Sequence, residues 1–210
     1  MNAWLHAEIS LKRRGGKIED YLAIHDFMDA TKELCSDNRH RILHTMWGIK
    51  RVMVPIFGHA FKNSDGKTVN VKDLCEQDHV LPDYRNRFIP TLDDFVQAMD
   101  SAPDDLTRIG RFFEAYREDH PLSELLLSPL SHTGQIKSLL ITHNSWFINE
   151  IVPRIFNRPI QLMEFSIAPS ELFERMNFEM WMDNGYEYPK SARKIQNFQS
   201  HHITANGKEV

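Results

Sequence analysis

Residues 17–35 read Lys17-Ile18-Glu19-Asp20-Tyr21-Leu22-Ala23-Ile24-His25-Asp26-Phe27-Met28-Asp29-Ala30-Thr31-Lys32-Glu33-Leu34-Cys35, and this stretch decides the fold class. Leu22, Ile24, Phe27, Met28 and Leu34 recur at the spacing of one helix face. Gly15-Gly16 breaks the chain just before it, and Asp20 is the expected cap. The same period continues outward. A second helix is expected from near Arg39 through Ile42, Leu43, Met46, Trp47, Ile49 and Val52, capped by Asp37 and ended or kinked by Pro55, which has no N–H to donate. Val71 to Val80 reads as another helix. Thr91-Leu92-Asp93-Asp94 resembles a capping box and opens a helix to about Met99. Further helices are expected near 104–118, 133–156 and 169–182. One segment departs from the pattern. Asp65-Gly66, between short apolar-polar alternations, predicts a β-hairpin near 60–71. The expected fold is therefore mainly α and bundle-like, with that one small hairpin.

The chain has 210 residues, enough to bury roughly 70% of its unfolded surface without a disulfide or metal. We expect a His/Asp-rich helical domain over 1–100, a helical half over 101–200 packed on it, and a frayed polar tail over 201–210. A net charge of −4 argues against a whole-molecule grip on nucleic acid. No run approaches the roughly 20 apolar residues of a membrane span, and the N-terminus lacks the apolar core of a signal peptide. Cys35 and Cys75 are the two cysteines, expected to be reduced. These features read as a cytoplasmic protein.

Histidine is the compositional oddity: eleven in all, six of them within the first 79 residues. Three short segments pair them with acids at helical spacing. His25 and Asp29 stand at i and i+4, with Asp26 beside them. His40 and His44 stand at i and i+4, flanked by Arg39 and Arg41. Glu76 and His79 stand at i and i+3, with Asp83 four residues further on. Such spacing puts each pair on one helix face, and pairs from facing helices can converge on a metal. Imidazole and carboxylate donors suit a divalent ion such as Zn, Mn or Fe. His25, Asp26, Asp29, His40, His44 and His79 form the expected ligand pool. Glu76 or Asp83 would activate water, and Arg39 and Arg41 would orient phosphate. The spacings match no named zinc motif. No nucleophile elbow, dinucleotide fingerprint or phosphate loop is present.

The run Gly15-Gly16, Glu19-Asp20-Tyr21-Leu22, Ile24-His25-Asp26-Phe27-Met28-Asp29, Asp37-x-Arg39-His40-Arg41 and His44 resembles an uncharacterised family of phage and bacterial genomes, filed as a domain of unknown function. The resemblance continues through Phe57-Gly58, Glu76, His79, Asp83 and Ile89-Pro90-Thr91, over about residues 4–99. It implies no activity. A looser likeness, carried by the His25-Asp26 doublet, is to the all-helical HD-type metal phosphohydrolases. That likeness would ask for an earlier ligand, for which only His6 is available, and a late Asp such as Asp83.

Two functions are expected from these readings. One is a metal-dependent phosphohydrolase-like or nucleotide-processing protein acting on a phosphorylated small molecule. The alternative is a non-enzymatic phage-type accessory protein that binds a host protein, a nucleotide or a virion subunit, or self-associates. It would do so through the aromatic-rich second half, where Phe173, Phe178 and Trp181 lie.

Overall fold

The computed structural model describes residues 1–35, 39–99, 109, 112–158, 160 and 162. Its described part is mainly helical with one two-stranded antiparallel hairpin. The expected helix near 169–182, the Asp37 cap and the 201–210 tail lie outside the described residues.

Helix α1 (Ala3–Arg14) starts because the Asn2 side chain accepts from the Leu5 N–H at 3.0 Å. It ends at Gly15, whose N–H still reaches the Leu11 carbonyl and whose φ of 79° then turns the chain out of the helix. Lys12, Arg13 and Arg14 complement the negative end of the helix. Helix α2 (Glu19–Met28) follows and buries Tyr21, Ile24, His25, Phe27 and Met28. It is shorter than the apolar period suggests and begins at Ile18 without a side-chain cap. Asp20 instead receives the Lys17 and Ser64 N–H groups, tying α2 to the hairpin turn.

The expected helix from Arg39 is split in two. Residues Arg39–His44 form a 3₁₀ helix, and Thr45 then turns extended and caps the next segment. Its Oγ1 accepts from the Gly48 N–H at 3.0 Å. Gly48 permits the reversal, because a Cβ there would run into the Ile42 carbonyl oxygen. A continuous helical run follows, made of α3 (Met46–Gly48), a π turn (Ile49–Met53) and α4 (Val54–Phe57). The hairpin pairs β1 (Ala60–Lys62) with β2 (Thr68–Asn70), with Phe61 opposite Val69. A second run joins α5 (Val71–Leu74), a π turn (Cys75–Val80) and α6 (Leu81–Asp83). Helix α7 (Leu92–Gln97) carries the expected capping box between Thr91 and Asp94.

Beyond residue 112 the described chain forms α8 (His120–Thr133), a 3₁₀ helix (Ile136–Ile141), a π turn (Phe147–Ile151) and α9 (Val152–Phe156). The stretch expected as one helix over 133–156 is therefore broken, first at Gly134 with its φ of 66°.

The three π turns share a cause. Pro55, Pro82 and Pro153 each stand two residues after one of them. A proline leaves the carbonyl four residues earlier without its helical donor, and a local widening accommodates the gap without ending the helix. One apolar cluster contains buried residues from Ala7 through Val152. Trp47 Nε1 donates to Ser128 Oγ at 2.9 Å inside it, joining the two halves of the sequence.

Candidate metal centre

Four side chains meet in the interior: Asp29 from the end of α2, His44 from the 3₁₀ helix, His79 from the second π turn and Asp83 from α6. One ligand-type atom from each lies within 4.8 Å of all the others. His44 Nε2 is 3.0 Å from His79 Nε2 and 3.4 Å from Asp83 Oδ2. Asp29 Oδ1 stands 3.7 Å from both of those nitrogens. Tetrahedral ligands at about 2.0–2.2 Å from a zinc-like ion sit roughly 3.3–3.6 Å apart, so the spacing fits such an ion.

The hydrogen bonds behind these atoms fix which nitrogens carry protons. Asp78 is fully buried and receives Arg14 Nε at 2.5 Å and Arg13 Nη1 at 3.0 Å. Ser10 Oγ donates its one proton to Asp78 Oδ2 at 3.0 Å. It can then only accept from His25 Nε2, 2.9 Å away, which assigns that ring proton. His25 Nδ1 is left with a lone pair, facing His79 Nδ1 at 2.9 Å. His79 must therefore carry its proton on Nδ1 and present a lone pair at Nε2. His44 reaches the same state by another route, since its Nδ1 donates to the His40 carbonyl at 3.2 Å. His6 does so by a third: its Nδ1 donates to the Asp78 carbonyl at 2.9 Å. That carbonyl is the one four residues before Pro82, which has no N–H to offer it. His6 Nε2 has no hydrogen-bond partner and lies 3.2 Å from Asp83 Oδ1.

Burial disfavours the charged form of His25 and His79. It pushes His25 down to about 3, helped by His6. It holds His79 well below its ordinary value, with Asp29 opposing and His44 and His6 adding to the effect. The two carboxylates go the other way. Burial would raise Asp29, but the Lys32 ammonium beside it helps to hold it below the usual carboxylate range. Burial would likewise raise Asp83, but the Met1 ammonium at 2.7 Å helps to hold it below that range. The result is three imidazole lone pairs and two carboxylates turned toward one another. Imidazoles whose outer nitrogen is tied to a carbonyl or to a carboxylate relay are the usual surroundings of a metal. The cluster could hold a divalent ion.

The other expected site residues stand around this centre. His25 is one step behind it, as the support of His79. Asp26, next in sequence, is exposed and lines a cavity with Asp29 and Lys32. His40 does not enter the cluster. A 3₁₀ helix has three residues per turn, so i and i+4 no longer share a face, and the His40 ring sits edge-on to His44 at 5.4 Å. Glu76 is turned to Lys72, 2.8 Å away, and keeps one buried oxygen without a partner. Asp83 is a ligand-type member of the cluster. Arg39 lines a second cavity with His40. The Arg41 charge sits beside Tyr84, where it offsets part of the burial that pushes that phenol up to about 12. The His/acid spacing nominates none of Ser10, Asp78 and Arg14 as site residues, and His6 enters only through the HD-type likeness. The signals were the spacing of four among His6, Ser10 and Arg14 on α1, and Pro82 four residues after Asp78.

All of the cluster and its supports fall within residues 6–83, and that region has relatives. Residues 1–104 match DUF6915, a domain of unknown function. No curated protein and no solved structure matches the chain. The family is uncharacterised, so the geometry above carries the functional argument.

Proposed function

We propose that this protein is a divalent-metal-dependent hydrolase acting on a phosphorylated small molecule. One observation carries the reading: the His44 and His79 Nε2 atoms stand 3.0 Å apart with their ring protons committed elsewhere, beside the carboxylates of Asp29 and Asp83, and no donor among the described residues reaches either nitrogen. Within the cluster, Lys32 and the Met1 ammonium pair with the carboxylates only. A buried acceptor without a donor costs about 1–3 kcal/mol, and a metal ion between the two imidazole lone pairs would satisfy both. Two nitrogens and two carboxylate oxygens suit Zn, Mn or Fe. An ion held there would supply Lewis acidity and a bound water whose pKa falls toward 7. His44, His79, Asp29 and Asp83 would hold it. The relay from Asp78 through Ser10 and His25 would fix the orientation of His79.

The test is elemental analysis of the purified protein, paired with release of p-nitrophenol from p-nitrophenyl phosphate. The reading expects a stoichiometric transition metal, lost from H44A and D83N, and hydrolysis that a chelator abolishes. A protein that takes up no metal from added Zn, Mn or Fe, and shows no metal-dependent turnover, would overturn it.

A further inference from the structure

Beside the cluster lies a cavity of about 410 Å³, inside the range of small-molecule sites. Two of its lining residues are polar, buried and unsatisfied. His40 is 6% exposed with no partner for Nδ1, and Thr31 is 8% exposed with no partner for its hydroxyl. A native interior rarely leaves such groups unpaired, and a bound ligand is one physical reason for it. With its proton on Nδ1, His40 would offer a donor to an anionic ligand in this cavity.

The walls have two origins. His40 and Thr31 come from the stretch that matches the uncharacterised family, whereas Trp146 and Arg154 come from the chain beyond it. Arg154 stacks over the Phe27 ring at 5.1 Å. Arg154 and Phe27 also line a neighbouring cavity of about 570 Å³ that reaches Asp29 of the cluster. The stacked pair thus stands where the two spaces adjoin. A group at the metal would lie on one side of it and an organic body on the other.

The geometry points to this cavity as the substrate site for a phosphate monoester with a flat apolar body, with Arg154 as a specificity residue supplied by the second half of the chain. The inference rests on the reading of the cluster as a hydrolytic metal centre and adds the substrate class. Guanidinium and hydroxyl donors suit phosphate oxygens, and Trp146 and Phe27 suit a planar body. Glu150 is the one acid among the described lining residues, and it disfavours a second anionic group on that body.

The test is calorimetric titration of the full chain in excess chelator, with phenyl phosphate as probe and phenol and inorganic phosphate as comparators. Phenyl phosphate is expected to bind more tightly than either comparator. R154M should weaken it about tenfold and T31V by a smaller factor, with thermal unfolding little changed for R154M because Arg154 is exposed. Absence of binding, equal affinity in R154M, or inorganic phosphate binding as well as the ester would each overturn the assignment. Because no metal takes part, those results count against the cavity alone. Loss of metal uptake counts against the centre alone.

Discussion

Among the described residues, histidine is buried in two regions, and the two differ in how their hydrogen bonds end. In the second half, His143 is fully buried between Tyr116 and the 3₁₀ helix. Its Nδ1 donates to the Leu139 carbonyl at 2.8 Å, and its Nε2 accepts from the Tyr116 hydroxyl at 2.8 Å. Every proton has an acceptor and every lone pair a donor. Burial pushes His143 down to about 4, and no carboxylate pairs with it among the described residues. At the centre formed by His6, His44 and His79 the outer nitrogens are just as well tied, yet the inner ones end against one another and against Asp29 and Asp83. A histidine that serves the core closes its bonds. The first-half cluster leaves its bonds open in one direction, toward a common point.

That contrast depends on the relay being anchored, and the anchor is the ion pair of Asp78 with Arg14. Removing a partner from a buried pair leaves an uncompensated charge and costs about 3–5 kcal/mol. Arg14→Met should therefore lower unfolding free energy by about that amount in urea, Arg13 being half-exposed and a weaker substitute. A loss under about 1 kcal/mol would mean that Asp78 does not depend on Arg14.

The closed histidine makes a different prediction, in pH. Its folded pKa is lowered to about 4 from 6.5, so the unfolded chain takes up the proton first. The stability it contributes is complete above pH 6.5 and is lost as pH falls from 6.5 to 4. The full effect approaches about 3 kcal/mol. Urea midpoints across that window should fall more steeply for the native sequence than for His143→Gln. Parallel slopes would show that His143 is not held neutral by its surroundings.

Much of this architecture is legible in the sequence, for reasons that can be named. Periodicity marks α2 because its apolar face is broad, and Asp65-Gly66 marks the hairpin because few dipeptides suit that turn. Thr91 and Asp94 announce α7 because a capping box is local. His44, His79, Asp29 and Asp83 can be nominated because acids and imidazoles at helical spacing are visible in any chain. What spacing cannot give is the local helix type. His40 and His44 read alike until the 3₁₀ geometry separates their faces, and Glu76 reads like His79 until its carboxylate is found on Lys72. Ser10 is hidden for another reason, and His6 is marked by the HD-type likeness alone. Their partners, Asp78 and Asp83, are more than 60 residues away, and only the packing of α1 on the second π turn brings them together.

The finest test compares two hydroxyls. Ser10 and Tyr116 each make one hydrogen bond to one buried imidazole, at 2.9 and 2.8 Å. Tyr116→Phe should cost about 1–2 kcal/mol, and Ser10→Ala about 2–3 kcal/mol because it also loses the bond to the buried Asp78 carboxylate. Their effects on metal should diverge. Without the Ser10 oxygen, the His25 Nε2–H loses its acceptor, and the proton assignment that leaves the His79 Nε2 lone pair facing the cluster is no longer imposed. Loss of such outer support commonly weakens metal binding 10–100-fold. Tyr116→Phe disturbs a histidine whose bonds point nowhere else, so metal affinity should stay at the native value. Competition with a chromophoric chelator reads both. Equal affinities in the two variants would mean that the relay through His25 holds the fold together without orienting His79, and the distinction between open and closed histidines would lose its functional meaning.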